Sequence, residues 1–177
     1  MIYLALLRGI NVGGNAMIKM ADLKDALIKA GLQDVKTYIN SGNVIFTSGN
    51  KDQDALAEQV SNVIKDSFSL DVKTVVFTAE QWRRIITAAP EWWGKDTSYK
   101  HNILVMIKPF EMDEVVAAIG ELKPELEQMV AGNGVLYQSI SWDHFGRTAA
   151  GKMASKPIYK SMTIRNYNTA TKLVSLL

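Results

Sequence analysis

The order of strand-like and helix-like segments over residues 1–78 constrains the fold more than any other feature of the sequence. A continuous apolar run at the start is typical of a buried strand, whereas two later segments carry apolar side chains at helical spacing. Between those two helices, two β-prone runs flank the turn-forming sequence Asn-Ser-Gly-Asn, which predicts a hairpin. The order is therefore βαββαβ, a recurring supersecondary motif. The predicted strands lie at residues 1–7, 35–39, 44–47 and 72–78, and the predicted helices at residues 20–30 and 52–68.

Part of this order returns in the second half of the chain. The segments there predict strands at residues 102–107, 135–143 and 162–165, and helices at residues 112–122, 148–160 and 168–177. We therefore predict an α+β protein of two tandem ferredoxin-like plaits with mainly antiparallel sheets. The first unit is predicted to span residues 1–88, and the second, with a C-terminal helix, residues 89–177.

Polar and glycine-rich sequences follow the first two strands of the first unit. In a plait with sheet order 4-1-3-2 these strands run in the same direction, so both sequences lie at one sheet edge, roughly 10 Å apart. Arginine offers paired donors that suit a phosphate or carboxylate, and glycines let backbone N–H groups turn toward an anion. The sequence thus predicts a small anionic ligand bound by Arg8, Asn11, Gly13, Gly14, Asn40, Ser41 and Asn43. In the alternative interpretation, the glycines only join a strand to a helix and Arg8 pairs with a carboxylate.

Several kinds of site are excluded or disfavoured by the residues present. The chain has no cysteine, so disulfides, thiolate catalysis and cysteine zinc sites are excluded. The sequence GINVGG lacks the glycine spacing of a dinucleotide-binding loop, and no Gly-Lys-Ser/Thr follows it. We predict neither a cofactor nor a metal, because His101 and His144 are the only histidines and no helix carries two ligands at i and i+4. Whether the protein is an enzyme stays open.

The location of the protein is inferred from its apolar segments. None approaches the roughly 20 residues that span a bilayer. The apolar run at the start lacks a basic leader and ends at Arg8, unlike a secretory signal. We expect a cytoplasmic protein with no membrane association, and the sequence predicts no particular oligomeric state.

The distribution of charge suggests two further kinds of partner. Residues 144–177 carry six basic and no acidic residues, whereas residues 1–143 carry 14 basic and 18 acidic residues. This basic C-terminal region could bind nucleic acid, or it could dock on the protein's own acidic surface, for example the helix around Glu114. A third interpretation is a protein-interaction module with no ligand.

Two short motifs are also ambiguous. Thr148 is expected to cap a helix rather than help bind a phosphate. The tryptophan pair at residues 92–93 could be an exposed aromatic platform or packed inside the fold.

Four motifs resemble those of a known family. They are LRGINVGG at residues 7–14, SGNVIF at residues 41–46, FGRT at residues 145–148 and TIRNYNTATKL at residues 163–173. The chain resembles the bacterial family called domain of unknown function 1697, which implies a compact α+β protein of ferredoxin-like halves and supplies no activity. The resemblance marks as site residues Arg8, Asn11, Arg165, Asn166, Asn168 and Thr169. We expect Asn168 to cap the final helix and Arg165 to point into the protein or a cleft.

Overall fold

The computed structural model describes residues 1–14 and 16–177, which form eight strands and six α-helices. The residues form two compact units: unit 1 comprises residues 1–83 and Leu173–Leu177, and unit 2 comprises Arg84–Lys172. The assignment of residues 1–88 and 89–177 to two domains stays a prediction. The strands are β1 (Ile2–Leu7), β2 (Gln33–Tyr38), β3 (Asn43–Thr47), β4 (Thr74–Thr78), β5 (Tyr99–Met106), β6 (Glu127–Gly132), β7 (Val135–Ser141) and β8 (Met162–Asn166). The helices are α1 (Met20–Lys29), α2 (Gln53–Phe68), α3 (Ala79–Thr87), α4 (Met112–Ile119), α5 (Ala149–Met153) and α6 (Tyr167–Leu176).

Unit 1 is a plait with the predicted sheet order. Its strands are arranged β2-β3-β1-β4, which is the order 4-1-3-2 read from the other edge, and every neighbouring pair is antiparallel. The predicted hairpin is present, since β2 and β3 are joined by residues 39–42. The ferredoxin-like architecture of this half is thereby confirmed.

The core of unit 1 lies between one face of this sheet and its two long helices. Alternate residues of β1 point into it, as the period of two in a strand requires, and both helices contribute apolar stripes. Asp52 caps the start of α2, where its carboxylate accepts hydrogen bonds from the N–H groups of Asp54 and Ala55, each at 3.0 Å. The stripes and strand positions that form this core include Tyr3, Ala5, Leu7, Leu23, Leu27, Leu56, Val60 and Ile64.

Unit 2 repeats the topology of unit 1. Its sheet order is β6-β7-β5-β8, again with antiparallel neighbours, and its element order from β5 is βαββαβ. The second plait is confirmed, with two corrections. Strand β6 was not predicted, and the helix predicted for residues 148–160 is too long, because α5 ends at Met153 and a 3₁₀ helix follows at Pro157–Ser161. Proline disfavours helical backbone at the residue before it, and Lys156 is extended accordingly, at φ −91° and ψ 145°.

The first strand of each unit ends in the same pair of backbone hydrogen bonds. At the end of the strand, one N–H donates to the hairpin loop and the next N–H donates to the residue before the fourth strand. We call these two bonds the strand-end frame. In unit 1 they are Leu7 N–H to Gly42 O (2.8 Å) and Arg8 N–H to Lys73 O (2.9 Å); in unit 2 they are Met106 N–H to Gly134 O (3.0 Å) and Ile107 N–H to Ser161 O (2.8 Å).

Candidate functional site

The connection between β1 and α1 is much longer than its counterpart in unit 2. Residues 8–19 join β1 to α1, a total of 12 residues, whereas residues 107–111 join β5 to α4, a total of five. Each connection starts from the strand-end frame of its own unit and leads into the first helix of that unit's plait. Seven residues of the first connection are therefore not needed to join the strand to the helix.

The backbone of this long connection repeatedly enters the left-handed region. The φ angles are 70° at Gly9, 54° at Asn11, 60° at Gly13, 78° at Gly14 and 47° at Ala16. Residues 10 and 12 are not in this region, so the sign of φ alternates from residue 9 to residue 13. Three of these five residues are glycines, which adopt positive φ without steric strain, whereas Asn11 and Ala16 are not.

Asn11 holds the long connection together and joins it to the hairpin loop. Its Nδ2 donates to the carbonyl oxygens of Ile18 and Asn40, both at 2.9 Å, and its Oδ1 accepts from the N–H of Ile18 at 2.7 Å. Its own backbone N–H donates to Ala16 O at 3.1 Å. The two loops thus lie in direct contact, and we call them together the loop edge (residues 8–14, 16–18 and 39–42).

Gly42 fixes the hairpin side of the loop edge. A Cβ added to this residue would lie 2.7 Å from Leu7 Cβ and 2.9 Å from Ile10 Cγ1, and its φ of 76° also favours glycine. Ile10 is fully buried. The long connection is therefore held in place by the buried side chain of Ile10 and by the hydrogen bonds of the Asn11 amide.

The residues predicted to bind a ligand in unit 1 separate into exposed and structural positions. Gly13, Gly14 and Asn40 are exposed, while the side chains of Arg8 and Ser41 are half-buried. Asn43 is fully buried, and its Nδ2 donates to Tyr38 O at 3.0 Å and to Ser41 Oγ at 3.2 Å. Asn43, like Asn11, thus makes hydrogen bonds that hold the loops in place, and the exposed surface also includes the apolar side chains Val12, Met17 and Ile39.

The second group of predicted residues lies in unit 2. Arg165, on β8, is 5% exposed, donates from one guanidinium nitrogen to Thr163 Oγ1 and Ile164 O, each at 2.8 Å, and burial lowers its pKa to about 10. It points into the protein, as expected.

The expectation that Asn168 caps the final helix is wrong. Asn166 Oδ1 accepts from the N–H of Thr169 at 2.8 Å, so Asn166 is the cap of α6, and Asn168 lies exposed in the first turn. Thr169 is buried. In this group, Asn166 thus has a local structural role as the helix cap. Asn168 is the same residue type two positions later, so the sequence alone did not distinguish the two.

A buried carboxylate that the sequence did not reveal occupies the start of α5. Glu127, 1% exposed, accepts from the N–H groups of Ala149 (2.7 Å) and Ala150 (3.2 Å). Thr148 caps the same helix through its hydroxyl, which accepts from Gly151 N–H at 3.0 Å, as predicted. The protein's own carboxylate thus takes the place that a phosphate would need, and the alternative role of residues 146–148 in phosphate binding is dropped.

The other candidate groups make structural contacts within unit 2. Trp93 is buried, with its indole N–H donating to Asn102 O at 2.8 Å. The Nε2 atom of His101 lies 2.8 Å from Asp96 O, and two hydrogen bonds from Ser98 lower the pKa of the Asp96 carboxyl. In the described residues, no group of three or more His, Asp or Glu side chains could hold a metal ion.

Part of the basic C-terminal region also docks on unit 2 itself. Lys156 Nζ donates to the carbonyl oxygens of Ala118 (2.8 Å) and Ile119 (2.7 Å), at the C-terminal end of α4. A cation at this position stabilises the helix because the last carbonyl groups carry partial negative charge. The contact involves the acidic helix named above, through its backbone rather than its carboxylates.

Comparison with known proteins agrees with the fold and the motifs. A family model described as "Protein of unknown function (DUF1697)" matches residues 1–137. The chain belongs to this family. The matched DUF1697 residues include the whole loop edge, whereas Arg165, Asn166, Asn168 and Thr169 come after them.

A solved structure shows the same arrangement along the chain. It is that of a conserved bacterial protein from Streptococcus pneumoniae, which is 28% identical and has a TM-score of 0.86 over 98% of this chain and 97% of that chain. No curated protein matches the sequence. Within residues 1–14 and 16–177, no helix has both the length and the apolar character needed to cross a membrane.

Proposed function

We propose that unit 1 binds a small anionic ligand, carrying a phosphate or a carboxylate, at the loop edge. The comparison of the two units carries this proposal. The connection after the strand-end frame has five residues in unit 2 and 12 in unit 1, and the longer one contains Arg8 and three glycines with positive φ. The residue at the position of Arg8 in unit 2 is the buried, apolar Ile107.

The strained backbone of the long connection supports a binding role. Asn11 and Ala16 adopt positive φ although neither is glycine, and such conformations cost roughly 1–3 kcal/mol each. A connection under no functional constraint would avoid this cost, because about 2–6 residues usually suffice to join a strand to a helix. Strain held in place by hydrogen bonds is typical of sites whose geometry is fixed before the ligand arrives.

The residues of the loop edge then divide into two roles. Arg8 supplies a planar pair of donors to the anion, and the backbone N–H groups of Gly9, Gly13 and Gly14 supply further donors. Asn40 and Ser41 contact neutral polar groups of the ligand at the hairpin side. Asn11 and Asn43 do not contact the ligand but position the two loops, since their amides already bond to Ile18, Asn40 and Tyr38.

An NMR titration tests the proposal directly. Uniformly ¹⁵N-labelled protein is titrated with inorganic phosphate, pyrophosphate, AMP and citrate, and the amide shifts of Gly9, Gly13 and Gly14 are followed. We expect saturable shifts confined to the loop edge for at least one of these anions. Arg8→Lys should weaken that binding about 10- to 100-fold, since it removes hydrogen bonds to a charged group worth roughly 1.5–3 kcal/mol.

Matched variants separate binding from folding. Gly13→Ala introduces a Cβ at φ 60° and Gly31→Ala introduces one at φ 91°, both in open space, so the two variants carry similar strain. Only Gly13→Ala should reduce the affinity, and Arg83→Lys, at an exposed position, should leave it unchanged. Shifts spread over the whole protein, or equal losses in Gly13→Ala and Gly31→Ala, would contradict a site at the loop edge.

A further inference from the structure

A short segment of unit 2 presents two large aromatic side chains to solvent. Residues 141–147 run from the last residue of β7 to the segment before α5, and we call them the aromatic turn. Trp142 is 59% exposed and Phe145 is 48% exposed. They are three positions apart in sequence, so their Cα atoms lie at most about 11 Å apart.

The aromatic turn is held in one conformation by the structure around it. Ser141 Oγ lies 3.2 Å from His144 Nδ1, and Arg147 N–H donates to His144 O at 2.8 Å. Phe145 O accepts from both the N–H (3.2 Å) and the hydroxyl (2.6 Å) of Thr148. A side chain at Gly151 would collide with this same carbonyl group, so α5 packs directly against the turn. Exposed aromatic rings on a fixed backbone lose little conformational entropy when they bind.

Positive charges accompany these rings. Lys100 Nζ, on the neighbouring strand β5, lies 5.7 Å from the centre of the Trp142 ring, and Arg147 is exposed at the end of the turn. Asp143 is the one acidic residue within the turn. The turn therefore combines ring faces with two cations, one of which is already positioned beside a ring.

We propose that the aromatic turn binds single-stranded nucleic acid, with bases stacked on Trp142 and Phe145 and phosphates contacted by Lys100 and Arg147. Proteins that bind single strands pair aromatic platforms with basic side chains in this way, because every base has a ring face and every nucleotide a charge. The helix start beside the turn takes no part in phosphate binding, since Glu127 occupies it. This proposal is independent of the ligand proposed for unit 1.

The residues between the two rings favour nucleic acid over a membrane. Insertion of Trp142 and Phe145 together into a lipid interface would carry Asp143 and His144 with them, and a carboxylate is costly to remove from water. On a single strand these polar residues can stay hydrated between two stacked bases.

The test uses the full chain and fluorescein-labelled 12-nucleotide oligo(U) and oligo(dT), with binding measured by fluorescence anisotropy. Trp142→Ala and Phe145→Ala should each weaken binding about fivefold or more, whereas Trp142→Phe should retain most of it. Two phosphate contacts on a single strand give a log–log salt slope of about −1.4, so affinity should fall about sevenfold between 50 and 200 mM salt. The double variant Lys100→Gln/Arg147→Gln should remove the salt dependence that these two phosphate contacts produce.

Matched controls in unit 2 keep the result specific. Val116→Ala/Val130→Ala removes two exposed aliphatic side chains, and Lys95→Gln/Lys123→Gln removes two exposed charges, all outside the turn. Both controls should bind the oligonucleotides as the original protein does, and all variants should keep its melting temperature. The proposal would be overturned if no oligonucleotide bound, or if variants and controls lost binding equally. It would also be overturned if Trp142 and Phe145 mediated binding to vesicles of phosphatidylcholine and phosphatidylglycerol, or to a protein partner, in place of oligonucleotides.

Discussion

Gly42 offers a direct test of how tightly the loop edge is built. Substitution Gly42→Ala places a Cβ 2.7 Å from Leu7 Cβ and 2.9 Å from Ile10 Cγ1, both on fully buried residues. The same substitution also forces alanine into the left-handed region at φ 76°. The two effects act on the residue whose carbonyl group receives the first hydrogen bond of the strand-end frame.

The expected loss of stability follows from these two effects. Left-handed backbone costs alanine about 1–2 kcal/mol. Forcing a methyl group into a packed interior adds about 1–3 kcal/mol. We therefore expect Gly42→Ala to lower the free energy of unfolding by about 2–5 kcal/mol, or about 2–4 °C in melting temperature for each kcal/mol.

Gly31→Ala is the matched control. Its φ of 91° imposes the same kind of strain, but an added Cβ meets no atom within 4 Å. The difference between the two variants in urea-induced unfolding isolates the steric contact, and we expect it to be about 1–3 kcal/mol. Equal stabilities of Gly42→Ala and Gly31→Ala would refute close packing between the hairpin loop and the end of β1.

Three further variants probe unit 2. Glu127→Gln should cost about 1.5–3 kcal/mol more than the exposed Glu125→Gln in chemical denaturation, because the buried carboxylate accepts charge-assisted bonds from the start of α5. Asn166→Ala should cost about 1 kcal/mol while Asn168→Ala costs almost nothing, and the reverse order would contradict the assignment of the helix cap. Burial raises the pKa of Tyr137, so the folded protein keeps this proton to higher pH than the unfolded chain. Stability should then fall as pH rises above about 10, and Tyr137→Phe should show a smaller fall across pH 9–11.

The first plait could be predicted because its signals are local. Strand β1 is a continuous apolar run, α2 has a cap and an apolar stripe, and the hairpin turn lies between two β-prone segments. The sheet order then places the two loops at one edge, and the hydrogen bond from Asn11 to Asn40 shows them in contact there. The identity of the contacting atoms could not be predicted, because the sequence does not distinguish an asparagine that binds a ligand from one that holds a loop.

The errors in the second half have physical causes as well. Strand β6 lies at an edge of its sheet and is mostly exposed, so its sequence shows no regular alternation of apolar and polar residues. Glu127 meets the start of α5 across 22 residues of sequence, a contact that no local pattern predicts. The cap of α6 was misplaced by two residues because two asparagines flank Tyr167, and either could have capped the helix.

The strand-end frame has a consequence for how such a protein can change. The two hydrogen bonds of the frame in each unit join backbone atoms, so they do not depend on the exposed side chains of the connection. Changes at the exposed residues between Arg8 and α1 therefore leave these bonds in place, provided that the buried side chains of Ile10 and Ile18 are kept. One half of the molecule can therefore carry a long connection at this position while the other half keeps a short one. For the same reason, a designer could graft loops of different length onto either plait.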